Sequence, residues 1–299
     1  MKVLVSGASG LVGSAVVSNL SSKGAQVLQL VRKTPRDEAH EIMWNPAEGI
    51  TEAVKLEGVD AVIHLAGEPV AEGRWTEEKK RRIRESRVQG TRVLAEALAK
   101  LEQKPSVLLS ASAIGYYGSR GSEILTEESA PGDDFLARVC RDWEEATTPA
   151  VEAGIRVAQM RFGVILSEDG GALAKMLTPF KLGVGGRLGS GEQYMSWISL
   201  DDVVGVIDFL LEKGSLSGPF NTVAPQPVTN REFTEALGEA LSRPTFLPAP
   251  KFALRAAFGE MADVALLASQ RVEPARLKSS GYVFRHTELR AALRDILKK

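Results

Sequence analysis

An α/β fold built on a doubly wound parallel sheet is predicted by three observations. The chain opens with a short apolar strand, Lys2-Val3-Leu4-Val5-Ser6, followed by a glycine-rich turn and an amphipathic helix running on from Ser14. Further apolar runs recur at 25–31, 60–66, 106–110 and 155–161. Helical periodicity fills the intervals at about 76–101 and 134–152. Near-continuous apolar strands alternating with helices are what a parallel sheet covered on both faces requires.

The first turn, Gly7-Ala8-Ser9-Gly10-Leu11-Val12-Gly13, explains the order strand, turn, helix. Gly7 permits a tight turn, Gly10 keeps the backbone clear of any Cβ on the side a ligand approaches, and Gly13 lets the helix pack closely. Free N–H groups and a partial positive charge at the helix start favour an anion there. This unit is therefore read as a dinucleotide cradle, with Ser9, Leu11 and Val12 completing it.

The second strand ends at Arg32-Lys33, where a Rossmann domain that binds NAD carries an acid for the ribose hydroxyls. A guanidinium binds a 2′-phosphate that an acid repels, so NADP is expected over NAD. The third strand runs into His64-Leu65-Ala66-Gly67-Glu68, and the fourth into Ser110-Ala111-Ser112. Beyond about 165 the alternation gives way to a glycine-rich loop at 183–191, a helix from near Leu200, a short strand at 220–223 and helices from Thr229 onward. We divide the chain into residues 1–165, a Rossmann domain to which segments near 197–223 return, and residues 166–299, a smaller and mostly helical substrate-side region. The glycine-rich loop reads as a mobile lid carrying Arg187, with Gln193 and Trp197 behind it.

Composition narrows the function. At 299 residues and 44% apolar content the chain can bury a full core. A net charge of −1 argues against nucleic acid and against an anionic membrane surface as partners, which leaves a small-molecule substrate. The charged run at 77–87 mixes glutamates with its lysines and arginines and reads as a solvated helix face. One cysteine, Cys140, allows no intrachain disulfide, and His40, His64 and His286 have no metal-ligand spacing. A reducing, cytoplasmic setting is expected, without a secretory leader.

Five stretches carry a resemblance. They are the glycine turn, His64-Leu65-Ala66-Gly67-Glu68, Ser110-Ala111-Ser112-Ala113-Ile114-Gly115-Tyr116-Tyr117-Gly118, Trp197-Ile198-Ser199-Leu200-Asp201-Asp202 and Gln270-Arg271-Val272-Glu273-Pro274. Together they resemble an extended short-chain dehydrogenase/reductase, within the epimerase-like family that carries a short helical C-terminal domain of its own. The resemblance implies that Leu65, Ala66, Gly67 and Glu68 lie beside the adenosine and its ribose, and Ser110 to Ser112 beside the nicotinamide. Ser112 matches the family's catalytic serine or threonine. Arg161 is similar to a residue at the substrate edge of the relatives' pocket and joins the cofactor set. A homodimer through the helices at about 76–101 and 134–152 is also implied.

One departure matters more than these matches. The extended enzymes carry a Tyr-x-x-x-Lys pair on the helix after the serine strand, where the lysine and cofactor ribose tune the tyrosine as an acid/base. Here that helix reads Asp134-Phe135-Leu136-Ala137-Arg138-Val139-Cys140-Arg141-Asp142-Trp143-Glu144, without tyrosine or lysine. Phe135 with Val139, or Leu136 with Cys140, stands in the pair's place. Tyr116 or Tyr117 is a candidate for the missing hydroxyl, and Arg138 or Arg141 for the missing charge. Two functions are therefore carried forward. One is an NADP(H)-binding oxidoreductase or epimerase exchanging hydride with a sugar-like or nucleotide-sugar substrate. The other is a non-catalytic NADP(H)-responsive binding or regulatory protein.

Overall fold

The computed structural model describes residues 1–298. In chain order the strands are β1 (Lys2–Ser6), β2 (Gln26–Val31), β3 (Glu41–Asn45), β4 (Gly49–Ile50), β5 (Ala61–His64), β6 (Val107–Ala113), β7 (Ile124–Leu125), β8 (Arg156–Phe162), β9 (Val164–Leu166), β10 (Tyr194–Met195), β11 (Trp197–Ser199), β12 (Gly218–Thr222), β13 (Val228–Thr229) and β14 (Arg271–Val272). The helices are α1 (Leu11–Ser22), α2 (Glu77–Ala99), α3 (Phe135–Glu145), α4 (Thr148–Glu152), α5 (Gly171–Lys181), α6 (Leu200–Glu212), α7 (Asn230–Leu241), α8 (Lys251–Phe258), α9 (Ala275–Ser279) and α10 (Leu289–Ile296).

Eight strands form one sheet in the order β12-β8-β6-β5-β1-β2-β3-β4, parallel throughout except where β4 turns back on β3. From β1 the chain moves outward to β2 and then returns to β5 on the other side, so the strand order reverses between β1 and β5. That reversal opens a crevice at the carboxyl ends of the strands, where open α/β sheets bind their ligands.

Alternation along the strands builds the two core layers. Val3, Val5, Ile63, Leu109 and Met160 face α1 and α6, meeting Val16, Leu20, Val206 and Leu210. Leu4, Val62, Leu108 and Val157 face the opposite side and meet Leu94, Ala95 and Leu98 of α2 with Ala150 of α4. Both faces are thus dry, which is why these strands read as unbroken apolar runs. A third apolar layer joins α5, α7 and α10 through Leu173, Leu177, Phe233, Leu237, Leu289 and Leu293.

Three expectations are corrected. The helix expected over 134–152 is two, α3 and α4, with Pro149 in the first turn of α4. Proline lacks the N–H and its ring would collide with the carbonyl of Glu145, so α3 cannot run through it. Strand β3, paired between β2 and the short edge strand β4, was not anticipated: it buries only Ile42 and Trp44, with Met43 between them turned outward. The glycine-rich loop is laced down rather than free to act as a lid. Gly189 N–H donates to Ala249 O at 2.8 Å, Ala249 N–H to Arg187 O at 2.8 Å, and Leu188 N–H to Asn230 Oδ1 at 2.7 Å. Trp197 is fully enclosed in the α5–α7 layer, its indole donating to Gln226 O at 3.0 Å, and so does not stand behind a substrate pocket.

Candidate active site

The turn between β1 and α1 has the geometry of an anion cradle. Gly7 takes φ +70° and lies so close to the exit of β5 that a Cβ there would sit 2.8 Å from the Leu65 carbonyl carbon. A Cβ on Gly13 would sit 2.1 Å from Gly7 O, so only glycine lets the helix touch the turn. At Gly10 a Cβ would meet nothing but Gly7 O at 3.3 Å, and both Ser9 and Gly10 are exposed. No side chain caps α1 and no acid stands in its first turn, so its leading N–H groups are unspent. The residues present therefore fit a pyrophosphate. Leu11 packs its side chain on Gly170 and Gly171 at the start of α5, and half-buried Val12 belongs to the apolar layer beneath the cradle.

A polar chain fixes the floor of the crevice. Ser6 Oγ and His64 Nδ1 are 2.6 Å apart, His64 Nε2 and Thr91 Oγ1 2.9 Å apart, and Trp143 Nε1 donates to Thr91 Oγ1 at 2.8 Å. The same Ser6 hydroxyl accepts from the N–H groups of Leu65 and Ala66, at 3.1 and 3.3 Å. Burial holds His64 down to a pKa of about 4, so it is neutral and serves as a linker. Gly67 is exposed at the rim, and Glu68 pairs with Lys79 at 2.8 Å and with Arg82 at 3.5 Å. The Lys79 hydrogen bond, over burial, keeps the Glu68 carboxyl below its ordinary value, aided by the charges of Arg82 and Arg32. Arg32 and Lys33 are exposed beyond β2, and neither forms an ion pair among the described residues.

The serine strand leads into a closed network. Ser112 is buried and donates to Glu144 Oε1 at 2.7 Å. Arg161, its neighbour across the β6–β8 ladder, grips the same carboxylate with Nε on Oε1 at 2.7 Å and Nη2 on Oε2 at 2.8 Å. Arg161 Nη1 also donates to the Tyr117 hydroxyl at 2.9 Å, which donates in turn to Asn221 Oδ1 at 2.6 Å. Burial opposes the charge on Arg161, but the Glu144 bonds and the Tyr117 hydroxyl outweigh it and hold the guanidinium above its usual range. Burial pushes Tyr117 up to about 12 against the pull of Arg161.

This geometry corrects the roles expected of three residues. Arg161 is spent on Glu144 and has no edge free for a cofactor. Tyr117 is fully enclosed, with its hydroxyl both giving and receiving a bond inside the fold. Ser112 is tied to the same carboxylate. Tyr116 is different: its ring lies on the Arg161 guanidinium at 3.5 Å, it is half-buried, and its hydroxyl has no protein partner among the described residues. Ser110 is buried within the strand and donates only to Ala111 O, at 3.4 Å.

Helix α3 is anchored by Asp134, whose side chain accepts from Ala137 N–H at 2.9 Å. This sets the register left open by the sequence. Phe135 turns away to meet Trp75 edge-on at 5.3 Å, whereas Leu136 and Cys140 face the loop after β6, within 3.4 and 3.7 Å of where a Gly115 Cβ would stand. Burial raises the Cys140 thiol to about 12, against the pull of Arg87. Leu136 and Phe135, with Val70, Val264 and Leu266, pack against an apolar cluster of Trp75, Ile83 and Met261, part of it contributed by the segment after α8. Arg138 and Arg141 point outward, Arg138 bonding Asp133 O and Arg141 standing 3.6 Å from Asp142, so neither replaces the missing lysine.

Two residues escaped the sequence reading. Glu144 lies seven residues after Ala137 and four after Cys140, and Arg87 falls between Ile83 and Thr91 at spacings of four. Each is thus a charged residue on an apolar helical stripe, the one signal that singles it out.

A doubly wound sheet with a glycine cradle at its switch point defines the chain as a dinucleotide-binding α/β protein. It belongs to the NAD dependent epimerase/dehydratase family, whose model matches residues 3–222, and residues 249–296 match a domain of unknown function, DUF1731. The chain is similar to an epimerase family protein of Mycobacterium tuberculosis, 45% identical over 97% of this chain and 96% of that one. Among solved structures, human epimerase family protein SDR39U1 with NADPH is 35% identical, covers both chains in full and superposes with a TM-score of 0.92. A nucleoside-diphosphate sugar epimerase from Corynebacterium glutamicum is 41% identical, with a TM-score of 0.82 over 99% of this chain and 58% of that one. No helix among the described residues is long and apolar enough to cross a membrane.

Proposed function

We propose that the chain is an NADP(H)-dependent oxidoreductase or epimerase-like enzyme acting on a carbinol or carbonyl carbon of a sugar-like or nucleotide-sugar substrate. The observation that carries this reading is the uncapped, acid-free start of α1 over Gly7, Gly10 and Gly13, flanked by unpaired Arg32 and Lys33 at the end of β2. The NADPH held by the human relative supports the phosphorylated form of the cofactor. When bound, the nicotinamide supplies or accepts the hydride. The substrate oxygen must then take up or release one proton, and Tyr116 carries the hydroxyl that this chain has free beside the β6 exit. The reading places the protein in the cytoplasm, which a single cysteine, unable to form an intrachain disulfide, fits.

A second reading, a non-catalytic NADP(H)-responsive protein, is favoured by one observation: the positions opposite the β6 exit are Leu136 and Cys140, which move no protons near neutral pH. Calorimetric titration with NADPH and NADH, followed by turnover against carbonyl compounds and sugar nucleotides, separates the readings. NADPH binding at least about tenfold tighter than NADH, lost in Arg32→Ala/Lys33→Ala, is expected from charge-assisted bonds to a 2′-phosphate. Equal affinities would remove the NADP assignment, and tight binding without turnover of any panel member would favour the second reading.

A further inference from the structure

The total charge of −1 hides a local separation. Residues 181–191 and 242–256 carry Lys181, Arg187, Arg243, Lys251 and Arg255 without a single aspartate or glutamate. The fold lays these two segments side by side. Gly186 pairs with Phe246 and Leu188 with Ala249 as isolated bridges, and Arg243 Nε donates to Lys181 O at 2.9 Å. A Cβ on Gly183 would stand 3.9 Å from Pro244 Cγ.

The same segments carry apolar side chains that the core does not take. Phe246 and Phe252 are each 76% exposed and Leu182 73%, and Val184 and Leu247 are exposed as well. Elsewhere such side chains come one at a time along the chain, as at Met43, Val54, Ile124, Val151 and Val283, which is ordinary for a surface. Apolar side chains gathered on two laced loops, among charges of one sign, mark a docking face.

The cations there are open to a partner. Lys181, Arg187, Arg243 and Lys251 meet no carboxylate among the described residues, and Arg187 and Arg243 bond only backbone carbonyls. Acids nearby in the chain are engaged, Glu192 by Arg231, Glu239 by Arg290, Glu260 by Lys80 and Asp263 by Arg255. A second copy docked through the same face would bring like charges together with no acid to meet them. Nucleic acid would find the charge, but aliphatic Leu182, Val184 and Leu247 offer its bases nothing to stack on. An anionic bilayer satisfies both features: its acyl boundary takes the apolar side chains and its phosphates the lysines and arginines.

We propose that the face formed by residues 181–191 and 242–256 docks on an anionic lipid bilayer surface. No helix among the described residues is long and apolar enough to cross a membrane, so the contact is peripheral. It does not depend on the cofactor reading.

Flotation of the full chain with sealed vesicles tests this, using phosphatidylcholine alone and phosphatidylcholine mixed with phosphatidylglycerol. The chain is expected to float with the mixed vesicles and stay behind with phosphatidylcholine, and raised salt should release it. Phe246→Ser/Phe252→Ser should lower the partition coefficient at least about tenfold, and Lys181→Gln/Lys251→Gln about thirtyfold. Melting curves accompany both, and Phe252→Ser alone replaces the double serine variant if that melts early. Absent flotation, equal flotation on both lipids, or flotation that folded variants leave unchanged overturns the proposal. So does a dimer in sedimentation velocity that the serine variant dissolves without any vesicle binding, which would assign the face to a second copy. Binding of a single-stranded RNA oligonucleotide without flotation, lost in the glutamine variant, overturns it in favour of nucleic acid.

Discussion

Arg161 and Glu144 lock β8 to α3 through two parallel bonds of 2.7 and 2.8 Å, with the Ser112 hydroxyl on one of the same carboxylate oxygens. The pair is largely shielded from water, the Arg161 side chain being 3% exposed and Glu144 13%. Removing one partner leaves a buried charge uncompensated, so Glu144→Gln or Arg161→Met is expected to cost about 3–5 kcal/mol in urea unfolding. The double variant should cost less than the sum, because neither charge is then stranded. Single variants that unfold with wild-type midpoints would show that the pair is dispensable.

The two adjacent tyrosines should separate cleanly. Tyr117→Phe strips a buried hydroxyl from Arg161 and Asn221 and is expected to lose about 1–3 kcal/mol of stability. Tyr116→Phe removes a hydroxyl with no protein partner and should leave the unfolding midpoint in place. If the chain turns over a substrate, Tyr116→Phe should slow it by about 10²–10⁴. The reverse pattern, a stable Tyr117→Phe and an active Tyr116→Phe, would sink this assignment.

His64 gives the fold a pH dependence of known sign. Its pKa falls from 6.5 in the unfolded chain to about 4 in the folded protein because burial penalises the charged ring. Its contribution is fully present above pH 6.5 and drains away as the pH falls toward 4, since the unfolded state takes up the proton first. The loss over that window is on the order of 3 kcal/mol. Unfolding free energies measured from pH 7 to 4 should show this slope in the wild type and lose most of it in His64→Gln.

The glycines of the first turn divide by role. Gly13→Ala places a methyl 2.1 Å from Gly7 O and must displace α1, with an expected cost of about 1–3 kcal/mol or more. Gly10→Val brings its Cβ against Gly7 O alone, at 3.3 Å, which a shift of a few tenths of an ångström relieves, and should retain a near-normal melt while abolishing NADPH binding. Circular dichroism and calorimetry on the same samples decide it, and a folded Gly10→Val that binds NADPH normally would show the turn is not the cradle.

The opening strand, turn and helix were legible because the close approaches of Gly7 and Gly13 leave a spacing no other residue satisfies. Strand β3 was not, since only Ile42 and Trp44 of its five residues are buried and the apolar run Ile42-Met43-Trp44 is too short to stand out as a strand. The register of α3 stayed open because both of its stripes are apolar, and only packing turns Leu136 and Cys140, rather than Phe135, toward Gly115. The network of Ser112, Glu144, Arg161 and Asn221 joins four elements far apart in the chain. No local pattern announces such a meeting, although a lone acid on the buried stripe of α3 marks one of its members.

Met261, Val264 and Leu266 share an apolar cluster with Leu136 and Phe135, and all three come from residues 249–296. The part of the chain matched only by a domain of unknown function thus packs against the start of α3, while the anion cradle is supplied by the first turn. On the proposed reading, the apolar side chains met by a substrate there would come from one end of the polypeptide and the hold on the cofactor from the other.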